Sequence, residues 1–287
     1  MPESTIRTYE LADRAGWLAA YARDGFVRVK GVFSATELDE IEAFFDDYLE
    51  DPSGALENNT IPLKVAHRGA TLEQVDRTKG QVRCLHPHRT HPDPVNRWYL
   101  HENIAAVLDG LFGKPALAAQ TMYYYKPPGA KGQGMHQDNF YLLTAPAVCI
   151  GAWTAIDDAD EENGCLWMAP GSHREGIFCP DKDLTEPWLN YGDTHIAPYP
   201  RQHRPVPVPV KRGETLFFHG LIIHGSGPNR TANKWRRTFI GHYCDEATET
   251  ISEFYHPVLN MQGETVSDIG VHAGGGPCGG EWRGKAH

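Results

Sequence analysis

Apolar residues recur at helical spacing early in the chain and at strand spacing later. Residues 9–25 carry Leu11, Trp17, Leu18, Tyr21 and Ala22 on one helical face. The run from Gly25 to Phe33 then alternates like a strand. Ser34-Ala-Thr-Glu37 fits a capping box, so a helix is predicted over 35–50, with Leu38, Ile41, Phe44, Phe45 and Leu49 inward. A further helix is predicted over 95–112 from Trp98, Ile104, Val107, Leu108 and Leu111.

Beyond that helix the period changes to two. Strands are predicted at 118–125, 136–143, 148–156, 166–169, 206–211, 215–218, 221–224 and 236–243. Asn163-Gly164 reads as a hairpin turn and Arg212-Gly213 as a second turn. Residues 176–206 read as a Pro- and acid-rich insertion, and the Gly-rich tail 273–287 as flexible. Helices first and strands after predict a mainly β fold. A helical N-terminal layer, 9–112, would buttress a jelly-roll barrel (a double-stranded β-helix). There is no internal repeat, so a single domain is expected over 1–287, its core at about 20–245.

Composition narrows the function. The formal net charge of −10 argues against a nucleic-acid or anionic-membrane partner, since both need a basic face. Residues 1–9 hold no apolar leader core, and no stretch is long enough to span a membrane. Six cysteines without a C-x-x-C pair read as reduced thiols in a cytoplasmic protein. Against the acidic whole, 55–92 is locally basic. Lys64, Arg68, Arg77, Lys79, Arg83 and Arg89 face only Glu57, Glu73 and Asp76, and His67, His86, His88 and His91 lie among them. Such a run is either a solvated loop or a wall that draws in an anionic substrate.

Among 15 histidines, company singles out one. His136 and Asp138 lie two apart behind Gly132-Gln-Gly134, and on a strand both would project from one face. His224 follows the apolar run Leu221-Ile-Ile223 and enters a glycine loop. Two imidazoles and a carboxylate on one side of an ion leave its other side open, the facial triad of non-haem Fe(II) oxygenases. His219, His242 and His173 are rival ligands, ranked lower. Arg236 and Arg237 open the strand that follows. Alternation sends one of them inward, where a guanidinium needs an anion such as a carboxylate.

Several ordered segments carry a family resemblance. They are Gln120-Thr-Met-Tyr-Tyr-Tyr-Lys-Pro-Pro128, His136-Gln-Asp138, Glu162-Asn-Gly-Cys-Leu-Trp-Met-Ala-Pro-Gly-Ser-His173, Gly213-Glu-Thr-Leu-Phe-Phe-His219, and His224-Gly-Ser-Gly-Pro-Asn229 with Arg236. The stretch from Asp24 to Val29 looks like the family's opening strand. On these segments the chain resembles the phytanoyl-CoA dioxygenase family of Fe(II)- and 2-oxoglutarate-dependent oxygenases, over about residues 20–245. The resemblance implies a jelly-roll barrel, with Fe(II), 2-oxoglutarate and O2 as its cofactors. Carried over by position, His136, Asp138 and His224 match the metal ligands, and Arg236 matches the arginine that holds the far carboxylate of 2-oxoglutarate. The spacing from His224 to Arg236 is one residue longer than the family's usual one, so Arg237 stays an alternative. Gln120, Trp153, Lys126 and Ser226 are further candidates around the co-substrate. Tyr123, Tyr125, Asn139, Phe140 and Tyr141 are candidates to touch substrate.

The activity expected is oxidation of a C–H bond in a small, anionic metabolite, with release of succinate and CO2. Related halogenases lack the carboxylate ligand, so the presence of Asp138 favours hydroxylation or desaturation. Two alternatives remain at this stage. One is a jelly-roll metalloenzyme with non-redox chemistry, since the same ligands suit catalytic zinc. The other is a catalytically silent relative that keeps the metal site.

Overall fold

In the computed structural model, residues 6–50, 60–62, 82–179 and 202–274 are described. Half of the residues named in the basic run (Lys64, His67, Arg68, Arg77 and Lys79), most of the 176–206 segment and nearly all of the tail therefore lie outside the described residues.

The chain opens with β1 (Thr8–Glu10), α1 (Arg14–Asp24), β2 (Phe26–Lys30) and α2 (Ala35–Glu50). The helix predicted over 9–25 is shorter than expected. Its first residues pair instead with β2 as a parallel strand, Tyr9 opposite Val29, and Asp13 caps the helix by accepting from the Gly16 N–H. The capping box at α2 forms in both directions. The Glu37 N–H donates to Ser34 Oγ at 3.2 Å, and the Ser34 N–H donates to Glu37 Oε2 at 2.8 Å. The helix predicted over 95–112 is two helices, Pro92–Tyr99 and Glu102–Phe112, broken where His101 caps the second.

The strands β3 (Thr60–Pro62), β4 (Val82–Leu85), β5 (Ala116–Lys126), β6 (Gln133–His136), β7 (Ile150–Ala155), β8 (Leu166–Met168), β9 (Val206–Val208), β10 (Thr215–His219), β11 (His224–Ser226) and β12 (Arg236–Asp245) follow. Among the described residues the large sheet runs β1-β2-β10-β7-β12-β5, with β4 also on β5, and continues into the short strands β13 (Val258–Asn260) and β14 (Thr265–Val266). A second sheet runs β6-β11-β8-β9. Asn163-Gly164 is therefore a turn but not a hairpin, because β7 lies in the large sheet and β8 in the small one. Arg212-Gly213 likewise passes between sheets.

Alternation along the large sheet explains its burial. Tyr123, Tyr125, Ile150, Ala152, Phe217, Phe239 and Tyr243 pack against Trp17, Ile41, Phe45, Trp98 and Leu108 of the helical layer. Their neighbours Met122, Tyr124, Trp153, Leu216, Phe218 and Ile240 pack against Leu166, Met168 and Val208 of the small sheet. Both faces are covered, so all of β5 is buried and the central strands read as apolar runs with little contrast. The mainly β fold with helices buttressing a jelly roll is the one the sequence predicts. Cys84, Cys149, Cys165 and Cys244 are free and buried. Cys179 is disulfide-bonded, which corrects the expectation of six reduced thiols.

Candidate metal centre

The antiparallel pairing of β6 with β11 sets His224 directly opposite His136. Two ligands far apart in sequence thus become cross-strand neighbours, their ring centroids 4.3 Å apart. His224 begins β11 rather than ending a strand over 221–224, because Ile222 and Ile223 sit in the buried turn before it. Gly225 is needed there. A Cβ at that position would come within 2.7 Å of the Gln133 carbonyl oxygen and 3.1 Å of that of Gly134.

Asp138 arrives differently from the expectation. The strand stops at His136, and Asp138 heads a helical turn, Asn139–Leu142, whose Tyr141 and Leu142 N–H groups donate to the Asp138 carbonyl. The predicted strand over 136–143 is therefore wrong, and no strand alternation aligns His136 with Asp138. The turn is fastened where the Asn139 N–H donates to the Gly220 carbonyl and where the Gln137 side chain bonds Leu221 and Gly176 carbonyls and the Phe178 N–H.

The result is nonetheless a triangle. Asp138 Oδ1 lies 3.6 Å from His136 Nε2 and 3.5 Å from His224 Nε2, and the three donor atoms lie within 4.8 Å of one another. Bonds of about 2.1 Å to a divalent ion hold adjacent donors roughly 3 Å apart at right angles, so the donor set fits such an ion. Tautomers fit as well. His136 Nδ1 lies 2.7 Å from the Gly134 carbonyl oxygen and His224 Nδ1 lies 3.1 Å from that of Ile222. A carbonyl only accepts, so each Nδ1 carries the proton and each Nε2 presents a lone pair to the centre. All three side chains are buried. Two imidazoles and a carboxylate suit Fe(II), and they also suit catalytic zinc.

A pocket opens beside His224 between the two sheets. Met122, Tyr124, Trp153, Phe218, Arg236, Ile240 and His242 line it from the large sheet, and Gln133, Leu166 and His224 from the small one. Arg236 is buried here, its guanidinium carbon 5.6 Å from the centre of the Trp153 ring. Burial pushes its pKa down to about 10. Arg237 leaves the strand on the other face and binds Asp157, Asp46 and Glu42. Strand parity thus assigns the pocket to Arg236.

The other sequence candidates divide. Trp153 lines the pocket. Lys126 and Ser226 meet each other, the Lys126 ammonium donating to Ser226 Oγ at 2.9 Å and to the Gly227 carbonyl. Burial, then the neighbouring Arg236, pushes the Lys126 pKa well down. Gln120 is buried on β5, with its Nε2 3.4 Å from His86 Nε2. Tyr141 packs edge-on against His136, centroids 5.9 Å apart. Asn139 is tied to Thr144. Tyr123 and Tyr125 are turned away, which corrects their place as substrate contacts. Tyr123 stacks on Phe45, and the Tyr125 hydroxyl donates to the Phe45 carbonyl. The pocket tyrosine is Tyr124, which shares its strand face with Met122. His242 is not a ligand. Its Nε2 lies 3.0 Å from Asp138 Oδ2.

The model of the family "Phytanoyl-CoA dioxygenase (PhyH)" matches residues 21–238. Phytanoyl-CoA dioxygenase 1 of Oryza sativa subsp. japonica is 35% identical over 139 residues, 48% of each chain. The match thus spans about half the length of that relative. A probable phytanoyl-CoA dioxygenase of Caenorhabditis elegans is 28% identical over 79% of this chain and 73% of its own. The peroxisomal phytanoyl-CoA dioxygenase of Rattus norvegicus is 26% identical over 81% and 68%. Among solved structures, EctD from S. alaskensis with 2-oxoglutarate and 5-hydroxyectoine superposes with a TM-score of 0.64 over 90% of this chain and 86% of that one, at 19% identity. The epimerase SnoN in complex with Fe3+, alpha ketoglutarate and nogalamycin RO gives a TM-score of 0.61 over 84% and 86%, at 23% identity. At those identities the structures share the fold. Among the described residues, no helix is long and apolar enough to cross a membrane.

Proposed function

The chain belongs to the phytanoyl-CoA dioxygenase family, and on that premise we propose that it is an Fe(II)- and 2-oxoglutarate-dependent dioxygenase that oxidises a C–H bond of a small metabolite. The observation that carries the reading is a His136–Asp138–His224 triangle whose His224 lines a pocket with the buried Arg236 guanidinium in its wall. A zinc hydrolase would need the triangle but not Arg236.

His136, Asp138 and His224 would hold the iron. When bound, that ion with 2-oxoglutarate and O2 supplies the oxidation, yielding succinate, CO2 and an oxidised substrate. The chain's own residues do the rest. Arg236 pairs its planar fork with the far carboxylate of the keto acid, and that anion offsets the cost of a buried cation. Trp153 braces the guanidinium from one face. Lys126 holds Ser226 and the Gly227 carbonyl, which shapes the loop after His224. Met122, Leu166, Phe218 and Ile240 keep the reacting space apolar and exclude water.

For the substrate we favour a small anion. Support comes from Arg83, whose guanidinium lies over the ring of Tyr124, a pocket residue.

The test is an anaerobic titration with Fe(II) and 2-oxoglutarate, followed by exposure to air. The reading requires a visible charge-transfer band absent in His136→Ala, and succinate release under air that a screen of small carboxylates, phosphonates, amino acids and acyl thioesters stimulates. A protein that binds zinc but shows neither band nor succinate is a non-redox enzyme. A band without stimulated succinate marks a silent relative.

A further inference from the structure

We propose that His242 is a positioning residue of the metal centre, fixing the Asp138 carboxylate so that only Oδ1 is offered to the ion. The inference rests on the metal reading above. His136 and His224 are held by the β6–β11 ladder and by their Nδ1 bonds to carbonyls. Asp138 sits outside that ladder, on a helical turn. His242, from the middle of β12 in the large sheet, ties the Asp138 side chain to a rigid element.

The contact is buried on both sides, with His242 1% exposed and Asp138 fully enclosed. His242 stands in a doubly paired part of β12, opposite Gln120 on β5 and Gly151 on β7. Its Nε2 reaches Asp138 Oδ2 at 3.0 Å, while Oδ1 faces the two ligand imidazoles. An ionised carboxylate only accepts hydrogen bonds, so His242 Nε2 carries the proton. A nitrogen that donates to the ligand cannot also bind the metal, which is why His242 is no fourth ligand despite lying so near.

Removing this donor takes the His242 hydrogen bond from Oδ2. The carboxylate would then be less firmly held in the orientation that offers Oδ1 to the ion. Partners of this kind typically change metal affinity or activity by 10- to 100-fold.

Binding of Co(II), and of Fe(II) under nitrogen, tests the idea in the wild type and in His242→Ala, His242→Asn and His242→Gln. Melting temperature and circular dichroism serve as folding controls. Glutamine places an amide N–H near the position of the imidazole Nε2; asparagine falls short. The expected result is that alanine and asparagine weaken metal binding about 10- to 100-fold, alter the visible spectrum of bound Co(II), and raise the KM for 2-oxoglutarate. Glutamine is expected to restore affinity to within about threefold and to restore the spectrum. If the alanine variant does not fold, the glutamine–asparagine pair decides. Equal affinity and equal spectra across the folded variants overturn the proposal. So does a glutamine variant as weak as asparagine, because packing and not the hydrogen bond would then be the cause. A wild type that binds neither ion sinks the metal reading itself, and this inference with it.

Discussion

Arg236 and Arg237 are adjacent on β12 and leave it on opposite faces. Arg236 enters the pocket and lies beside Trp153, whereas Arg237 binds Asp157, Asp46 and Glu42. The two should separate experimentally. Arg236→Gln is expected to raise the KM for 2-oxoglutarate roughly 100-fold, about 2.7 kcal/mol, and to leave the melting temperature unchanged or higher. Arg237→Gln is expected to cost about 1–3 kcal/mol of stability and leave that KM alone. Thermal melts beside 2-oxoglutarate titrations read both. A KM effect confined to Arg237 would overturn the pocket assignment.

The triangle predicts stabilisation by metal. An ion at 100 times its Kd should stabilise the fold by about 2.7 kcal/mol, seen as a rise in melting temperature that a chelator reverses. His136→Ala and His224→Ala should abolish the rise. A rise that survives both substitutions would place the ion elsewhere.

Neighbouring tyrosines supply a contrast of face. Tyr123 stacks on Phe45 with centroids 4.1 Å apart and planes at 15°. Tyr123→Ala is expected to cost about 3–5 kcal/mol, like other large core truncations. Tyr124 lines the pocket, so Tyr124→Phe should alter substrate KM or turnover while the urea midpoint stays put. Unchanged kinetics in Tyr124→Phe, with an intact fold, would remove its hydroxyl from substrate contact.

Acid should unfold the protein through two buried histidines. Burial, then Arg89, holds the pKa of His86 down at about 2 and that of His88 at about 3, from an ordinary 6.5. The folded pKa is the lower one, so below 6.5 the unfolded chain takes up more protons. The stability these groups contribute is fully present above about pH 6.5 and is lost as pH falls toward 3. Each contributes a slope of about 1.4 kcal/mol per pH unit in that window. Urea midpoints measured from pH 7 to 5 should show the fall, and His88→Gln should flatten it. An unchanged slope in that variant would exclude His88 as a source.

Local sequence determined a good part of this protein. The capping box at Ser34 and Glu37, the switch from helical to strand period near 116, and the ordered motifs from Gln120 to Arg236 are short-range signals. Each depends on residues a few positions apart, and each reads the same in the chain as in the fold. The metal ligands were legible because their motifs are local. How the ligands meet was not. His136 and Asp138 do lie together, but not on one strand face, since the strand ends at His136.

Tertiary structure decided what depends on pairing between distant segments. The register of β6 against β11 sets His224 opposite His136. Strands buried on both faces lose their polar contrast, so nothing local says whether Tyr123 or Tyr124 faces the pocket, or which arginine turns inward. A strand shifted by one residue exchanges its faces, and only packing between the helical layer and the small sheet fixes that choice. The same packing brings His242 of β12 to Asp138 on its helical turn, a partnership that no spacing in the sequence encodes.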